Sequence, residues 1–556
     1  MTASLLMVQG TGSGVGKSLL VAGLCRAYRR RGLAVAPFKS QNMSNNAAVT
    51  ASGGEIGRAQ ALQARAAGLE PDERMNPVLL KPLGDRRSEV VVRGRGRGSV
   101  GAGTWRDRRD ELRGEALGAL EELRRGRDLV VMEGAGSPAE INLRPGDLAN
   151  MGIARAVGAP VLLVADIDRG GAFAALYGTW ALLDEEDRRH LRAFALNRFR
   201  GDAALLEPAP AEIARWTGMA FAGTLPWLDH RLPEEDAAVL DRGDSLDAER
   251  LRHGPPGSSG EPRPSLDEAD GAGGSKAPAV DVAAIRLPRV SNFDDLDPVA
   301  AEPGVRVRWV ASPEELGRPT VAVLPGTRNT TADLRWLRET GLAAALRLHA
   351  AAGGAVVGLC GGYQMLGLEV ADTEGLEGGG TEEGLGLLPV RTRMAREKEV
   401  RPGLGRVEDG AHLFRELAGH WVSGYEIHHG ETEPVADPAE VVGGDHSGRS
   451  AGCPTGTEAA QGAAHEAAEG AAEAWLRDGS RVLGMANGRV WGAYLHGLFA
   501  DDGLRRAWLA HLGASPPTAG RAWEARLEAE LDRLADAVEA SLDLDGLLGL
   551  AEEGVP

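Results

Sequence analysis

Apolar residues in the first part of the chain come in short, nearly unbroken runs, and each run ends in glycines, amides or acids. Leu5-Leu6-Met7-Val8 leads into Gly10, and Leu33-Ala34-Val35-Ala36-Pro37-Phe38 into Lys39-Ser40-Gln41-Asn42. Leu129-Val130-Val131-Met132 leads into Glu133-Gly134-Ala135-Gly136, Val161-Leu162-Leu163-Val164 into Asp166, and Ala193-Phe194-Ala195-Leu196 into Asn197. Runs without alternation are strands buried on both faces. With helical spacing between them, they predict a parallel sheet covered on both sides. The pattern restarts after a polar stretch, with Val282-Ala283-Ala284-Ile285, Val321-Ala322-Val323-Leu324 and Val356-Val357-Gly358-Leu359. At the end, Trp523, Leu527, Leu531, Leu534, Val538 and Leu542 fall at helical spacing, which predicts one amphipathic helix packed on the body.

These breaks divide the chain into residues 1–238, a Gly/Pro/Ser/acid-rich disordered linker over 239–280, a second domain over 281–512 and a helical tail over 513–556. Residues 431–480 form an Ala/Glu/Gly-rich insertion, in which Cys453 is expected to be inert. The arginine-rich stretch 86–113 is expected to be a solvated loop and helix face.

A length of 556 residues allows several domains, and 43% hydrophobic content supports ordinary cores. The net charge of −18 argues against a nucleic-acid partner. Three scattered cysteines form no disulfide or zinc pattern, no segment is long enough to span a membrane, and a cytoplasmic setting is expected. Only five of the 62 basic residues are lysines, Lys17, Lys39, Lys81, Lys276 and Lys398. A position that keeps lysine in an arginine-using chain is a candidate for a compact ammonium on an anion.

The candidate chemistry lies at the ends of the strands. Gly10-Thr11-Gly12-Ser13-Gly14-Val15-Gly16-Lys17-Ser18 stands between a strand and a helix. Its backbone N–H groups would cradle the phosphates of ATP, with Lys17 on the outer phosphates and Ser18 on Mg²⁺. Glu133 occupies the strand-tip position that holds Mg²⁺ directly or through water. Asn197 joins the nucleotide site, and Lys39, Asn42, Lys81 and Arg169 are candidates for substrate binding. Asp166 and Asp168 read equally as helix caps. In the second domain, Cys360-Gly361-Gly362-Tyr363-Gln364 follows a strand as a nucleophile elbow does, with cysteine as nucleophile. His496 is the candidate base, and His428 and His429 are placed at the substrate rim.

The loop is not a strict G-x-x-x-x-G-K-S, because Thr11 stands where that pattern needs glycine. The variant resembles that of the dethiobiotin-synthetase group. Further blocks extend a resemblance to the cobyric acid synthase family of glutamine-hydrolysing amidotransferases: Gln41–Asn46, Glu55–Gln60, Met75–Pro82, Glu133–Leu143, Ala165–Phe173, Phe199–Asp202, Arg286–Phe293, Pro325–Thr330, Cys360–Gly367 and His496–Phe499. The resemblance implies a dethiobiotin-synthetase-like P-loop domain followed by a class I glutamine amidotransferase-like α/β domain. It implies ATP and Mg²⁺ as cofactors, and glutamine and a corrinoid as substrates. The expected reaction amidates the b, d, e and g carboxylates of adenosylcobyrinic acid a,c-diamide through acyl phosphates and a Cys360 thioester. Gly326 and Gly361 are candidates for the oxyanion hole, and Gln364 and Tyr425 for the glutamine site. Many class I amidotransferases carry glutamate two residues after the histidine. Here that residue is Leu498, so a Cys–His pair without a third member is expected. The alternatives are a P-loop switch ATPase that binds partners, and an amidotransferase acting on another carboxylate.

Overall fold

A computed structural model describes residues 2–84, 87–101, 105–233, 246–247, 279–409, 412–435, 472–514 and 522–555. The linker expected over 239–280 therefore lies almost wholly outside the described residues, as do Cys453 and most of the insertion. The chain forms two compact units, Met1–Asp236 with Glu524–Pro556, and Ala237–Trp523.

The first unit is built on six parallel strands: β1 (Ser4–Gly10), β2 (Val35–Phe38), β3 (Leu129–Glu133), β4 (Val161–Asp166), β5 (Leu191–Phe199) and β6 (Ala220–Pro226), in the order β6-β5-β4-β1-β3-β2. Helix α1 (Lys17–Arg30) follows β1. The chain leaves β1 on one side of the sheet and later returns on the other. The loop after β1 therefore sits at a topological switch point, where parallel sheets open a crevice at their carboxyl ends. Register places Val8 beside Glu133, Gly10 beside Val164 and Asp166 beside Asn197, so the polar strand ends share one rim.

Two expectations need correction in this unit. Residues 87–101 of the arginine-rich stretch form a hairpin, Arg87–Val92 with Arg95–Gly101, in a small separate sheet beside Val78–Gly84 and Gln41–Met43. Val90, Val92 and Val100 are buried there, and the arginines project around them. The tail is two helices rather than one. Asp543 ends the first run and caps the next by accepting from the Gly546 N–H, giving Trp523–Ser541 and Leu544–Glu553. Leu527, Leu531, Leu534, Val538 and Leu547 enter the same core as Leu20, Leu24 and Tyr28 of α1. Gly23 permits that approach, since a Cβ there would lie 2.7 Å from Val538 Cγ2.

The second unit carries β7 (Val280–Ile285), β8 (Val305–Val310), β9 (Val321–Leu324), helix α2 (Thr330–Glu339), β10 (Ala355–Leu359), helix α3 (Gly361–Leu366), β11 (Val390–Val407), β12 (Trp421–Pro434) and β13 (Val490–Ala493). Parallel order runs β8-β7-β9-β10-β13, and antiparallel strands continue the sheet beyond β13. The expected insertion is shorter than 431–480. Residues up to Pro434 continue β12 in register with Val390–Arg393 of β11, and Glu473–Asp478 pairs with Arg481–Asn487 in a ladder that buries Trp475 and Leu476.

Candidate active site

Around the first unit's loop, several strand ends contribute groups. Thr11 N–H still donates to Val164 O at 2.9 Å, so the sheet holds the loop's start. Gly14 and Gly16 have φ of +67° and +93°, a region that favours glycine. A Cβ on Gly16 would also sit 2.2 Å from the Asn197 amide nitrogen, which donates to Val15 O at 2.8 Å. Asn197 thus braces the loop from β5. Lys17 Nζ lies across the turn, 2.9 Å from Gly12 O and 3.1 Å from Gly136 O.

Ser18 Oγ donates to Glu133 Oε1 at 2.8 Å, and Lys39 Nζ meets the same oxygen at 2.8 Å. The other Glu133 oxygen accepts from Gln63 Nε2 at 2.6 Å. A hydroxyl touching a strand-tip carboxylate beside a phosphate cradle fits Mg²⁺, which completes its shell with water and phosphate oxygens rather than a protein cage. Among the described residues there is no cluster of three or more His, Cys, Asp or Glu side chains that would hold a metal by itself.

Arg169 stands at the lip of the loop. It is paired with Asp166 at 3.4 Å and mostly exposed, and a Cβ on Gly14 would lie 3.6 Å from its guanidinium. The structure does not bring Lys81 and Asn42 to that rim. Lys81 Nζ is buried on Glu55 Oε2 at 2.5 Å. Asn42 donates to Gln60 at 2.9 Å and accepts from the Met43 N–H. Both stand on strands of the small side sheet, and their polar atoms are taken up by Glu55 of a neighbouring two-stranded sheet and by Gln60 of the helix Arg58–Ala66. Asp166 and Asp168 are arginine partners, to Arg198 at 2.9 Å and Arg200 at 3.1 Å.

In the second unit, Cys360 follows β10 with φ +51° and ψ −110°, a strained conformation for a residue with a Cβ. The turn is held by Cys360 N–H donating to Ala493 O at 2.8 Å and by close packing of α3. A Cβ on Gly362 would lie 2.0 Å from Leu324 O, and one on Gly358 2.6 Å from Gly362. Both glycines are required by backbone approach. Because β10 and β13 are parallel neighbours, with Leu359 beside Ala493, Cys360 and His496 emerge at the same sheet end.

On one side His496 lies close enough to Cys360 for the two groups to interact electrostatically. On the other, its Nδ1 meets Asp295 Oδ2 at 2.7 Å, while Asp295 Oδ1 accepts from the Gly497 N–H at 2.8 Å. Burial would lower the imidazole pKa, but the charges of Asp295 and Cys360 outweigh it and raise it to about 10. The expected pair without a third member is thus corrected: Asp295 fills that role from a turn some 200 residues earlier in the chain. Nothing local marks it, since Asp294-Asp295 reads as an acidic turn. The adjacent Arg286–Phe293 block was the available pointer.

Gly326 lies against this group, and a Cβ there would be 3.2 Å from His496 Cε1. Tyr425 stacks on the imidazole at 5.3 Å and exchanges backbone hydrogen bonds with His496, while its hydroxyl accepts from Asn292. It braces His496 instead of lining the pocket. That pocket lies beside Cys360 and Gly361, with Gln364, His428 and His429 among its walls. Gln364 is buried there, donating to His429 O at 2.8 Å and accepting from Thr330 Oγ1 at 2.9 Å, so its amide builds the wall. Cys25, by contrast, is buried in α1, and burial with the Glu133 charge pushes its thiol far up.

A nucleotide cradle on one parallel sheet and a Cys–His–Asp elbow on another define a nucleotide-binding glutamine amidotransferase. Residues 6–239 match the CobQ/CobB/MinD/ParA nucleotide binding domain, and residues 281–504 the CobB/CobQ-like glutamine amidotransferase domain. The chain is 47% identical to cobyric acid synthase of Cereibacter sphaeroides over 98% of its own length and 99% of that protein. It is 46% identical to that of Hyphomonas neptunium (99% and 98%), and 44% identical to that of Mycolicibacterium smegmatis (100% and 98%). The chain belongs to the cobyric acid synthase family of cobalamin biosynthesis.

Proposed function

We propose that this chain uses ATP, Mg²⁺ and glutamine to amidate the b, d, e and g carboxylates of adenosylcobyrinic acid a,c-diamide, giving adenosylcobyric acid. A carboxylate is a poor electrophile, and phosphorylation by ATP makes it an acyl phosphate that ammonia can attack. Lys17 and the loop N–H groups would hold the phosphates, Ser18 and Glu133 the Mg²⁺, and Arg169 or Lys39 an anionic group of the substrate. Bound Mg²⁺ supplies charge neutralisation on the phosphates.

At the second site, the Cys360 sulfur attacks the side-chain amide of glutamine. His496, oriented by Asp295, gives its proton to the departing ammonia, leaving a glutamyl thioester that water hydrolyses. Backbone N–H groups near Gly326 and Gly361 would receive the developing oxyanion. The observation that carries this reading is the Cys360–His496–Asp295 constellation, joined in one chain to the P-loop with its Ser18–Glu133 pair.

The test is mass spectrometry of a corrinoid a,c-diamide incubated with enzyme, Mg·ATP and glutamine, where stepwise gain of four amides is expected. Cys360→Ala should abolish the glutamine-driven reaction and keep the ammonia-driven one. A switch ATPase would be indifferent to that substitution. Amidation absent with glutaminase intact would move the substrate to another carboxylate.

A further inference from the structure

The pocket beside Cys360 has walls of mixed charge that neither the nucleophile, the base nor the oxyanion site requires. Glu377 is the carboxylate of its lining, and Lys398 and Arg328 are its long basic side chains. Glu377 is fixed in place, since one carboxylate oxygen accepts from the Thr331 N–H at 3.0 Å at the start of α2, and its own carbonyl accepts from Thr331 Oγ1 at 3.2 Å. Burial raises its carboxyl to about 7, the Thr331 N–H opposes this, the charge of Asp372 adds to it, and Arg328 pulls it down. What geometry supplies is a carboxylate held by the Thr331 N–H and facing the pocket beside Cys360.

Lys398 lies on β11 opposite His429 of β12, just past the register shift between Arg393 and Lys398. That is two residues along from Ile427, whose carbonyl accepts from the Cys360 thiol at 3.5 Å. A lysine at this position is notable in a chain that otherwise relies on arginine.

Free glutamine differs from other primary amides in having an α-ammonium and an α-carboxylate a few bonds from the amide. A pocket that presents one acid and a cation next to the nucleophile matches that zwitterion. We propose that Glu377 accepts the α-ammonium of glutamine and Lys398 holds its α-carboxylate, so that these two residues select the free amino acid over other amides. The proposal rests on the glutaminase reading of Cys360 and deepens it. Neither residue touches the scissile bond. Their interactions are equally strong in ground and transition states, so their loss belongs in KM.

The experiment measures ammonia release by the full-length enzyme from three probes: glutamine, glutaramate (glutamine without its α-amino group) and 4-aminobutanamide (glutamine without its α-carboxylate). Glu377→Gln should raise KM for glutamine at least tenfold with kcat nearly unchanged, and leave kcat/KM for glutaramate as in the parent. Lys398→Met should raise KM for glutamine and glutaramate alike and spare 4-aminobutanamide. Because each variant is compared with itself on two probes, a general loss of folding cannot mimic the pattern. Equal losses on all probes, or no change on any, would overturn the assignment. Absence of ammonia release by the parent enzyme from every probe would instead overturn the glutaminase reading, and this proposal with it.

Discussion

Cys360 and His496 illustrate how a single residue's chemistry depends on backbone placement. The left-handed φ of Cys360 costs conformational energy, and Gly358 and Gly362 let the surrounding chain close around it. His496 is tuned by Asp295. Asp295→Asn should lower glutaminase kcat by about 10²–10⁴-fold while ammonia-driven amidation persists, as steady-state assays with either nitrogen source would show. The same substitution has a pH signature. The folded imidazole has its pKa raised from 6.5 to about 10, so its stabilising contribution is fully present below 6.5 and is lost as pH rises through about 10. The gap in urea midpoint between parent and variant should therefore be wide near pH 6.5 and close toward pH 10. Lys81 makes the opposite point. Buried on Glu55, it is a structural pair, and Lys81→Met should cost about 3–5 kcal/mol of stability in denaturant unfolding by stranding the carboxylate. A variant as stable as the parent with a raised corrinoid KM would return Lys81 to the substrate site.

At the scale of elements, the strand ends and the two sharp turns were legible in the sequence because glycine and proline punctuate buried apolar runs. The short helix α3 shows what that punctuation is for. Gly362 packs on β9 so closely that any Cβ meets Leu324 O. Gly362→Ala should displace α3, abolish glutamine hydrolysis and lower the thermal midpoint of the second unit, with ammonia-driven amidation retained as the control. The hairpin at 87–101 escaped a reading based on charge. Its buried valines are three in a row, Val90 to Val92, followed across a run of arginines and glycines by Val100, so no two-residue period marks the strands. The register of β11 with β12, which carries Lys398, Ile427 and His428 into one pocket, was likewise invisible, since pairing is decided by the partner strand.

For the whole molecule, the chain finishes the first unit only after building the second. The tail helices supply Leu531, Leu534 and Val538 to the core beneath α1, and arginines of α1 meet their acids, as in the Arg26–Asp532 pair at 2.8 Å. Deleting residues 524–556 should expose that core, making the first unit protease-sensitive and ending ATP-dependent amidation, while glutamine hydrolysis persists. Limited proteolysis with parallel ammonia-release assays would check this. Local signals in the sequence marked the glycine-rich loop, the cysteine at the sharp turn, the distant histidine and the parallel-sheet class, because each depends on residues adjacent in the chain or on a family pattern. Asp295 as the partner of His496, the burial of Lys81 and Asn42, the charged walls around Cys360 and the return of the tail were decided by tertiary structure alone. Each depends on which distant segments become neighbours, and long-range packing and register, rather than local composition, settle that.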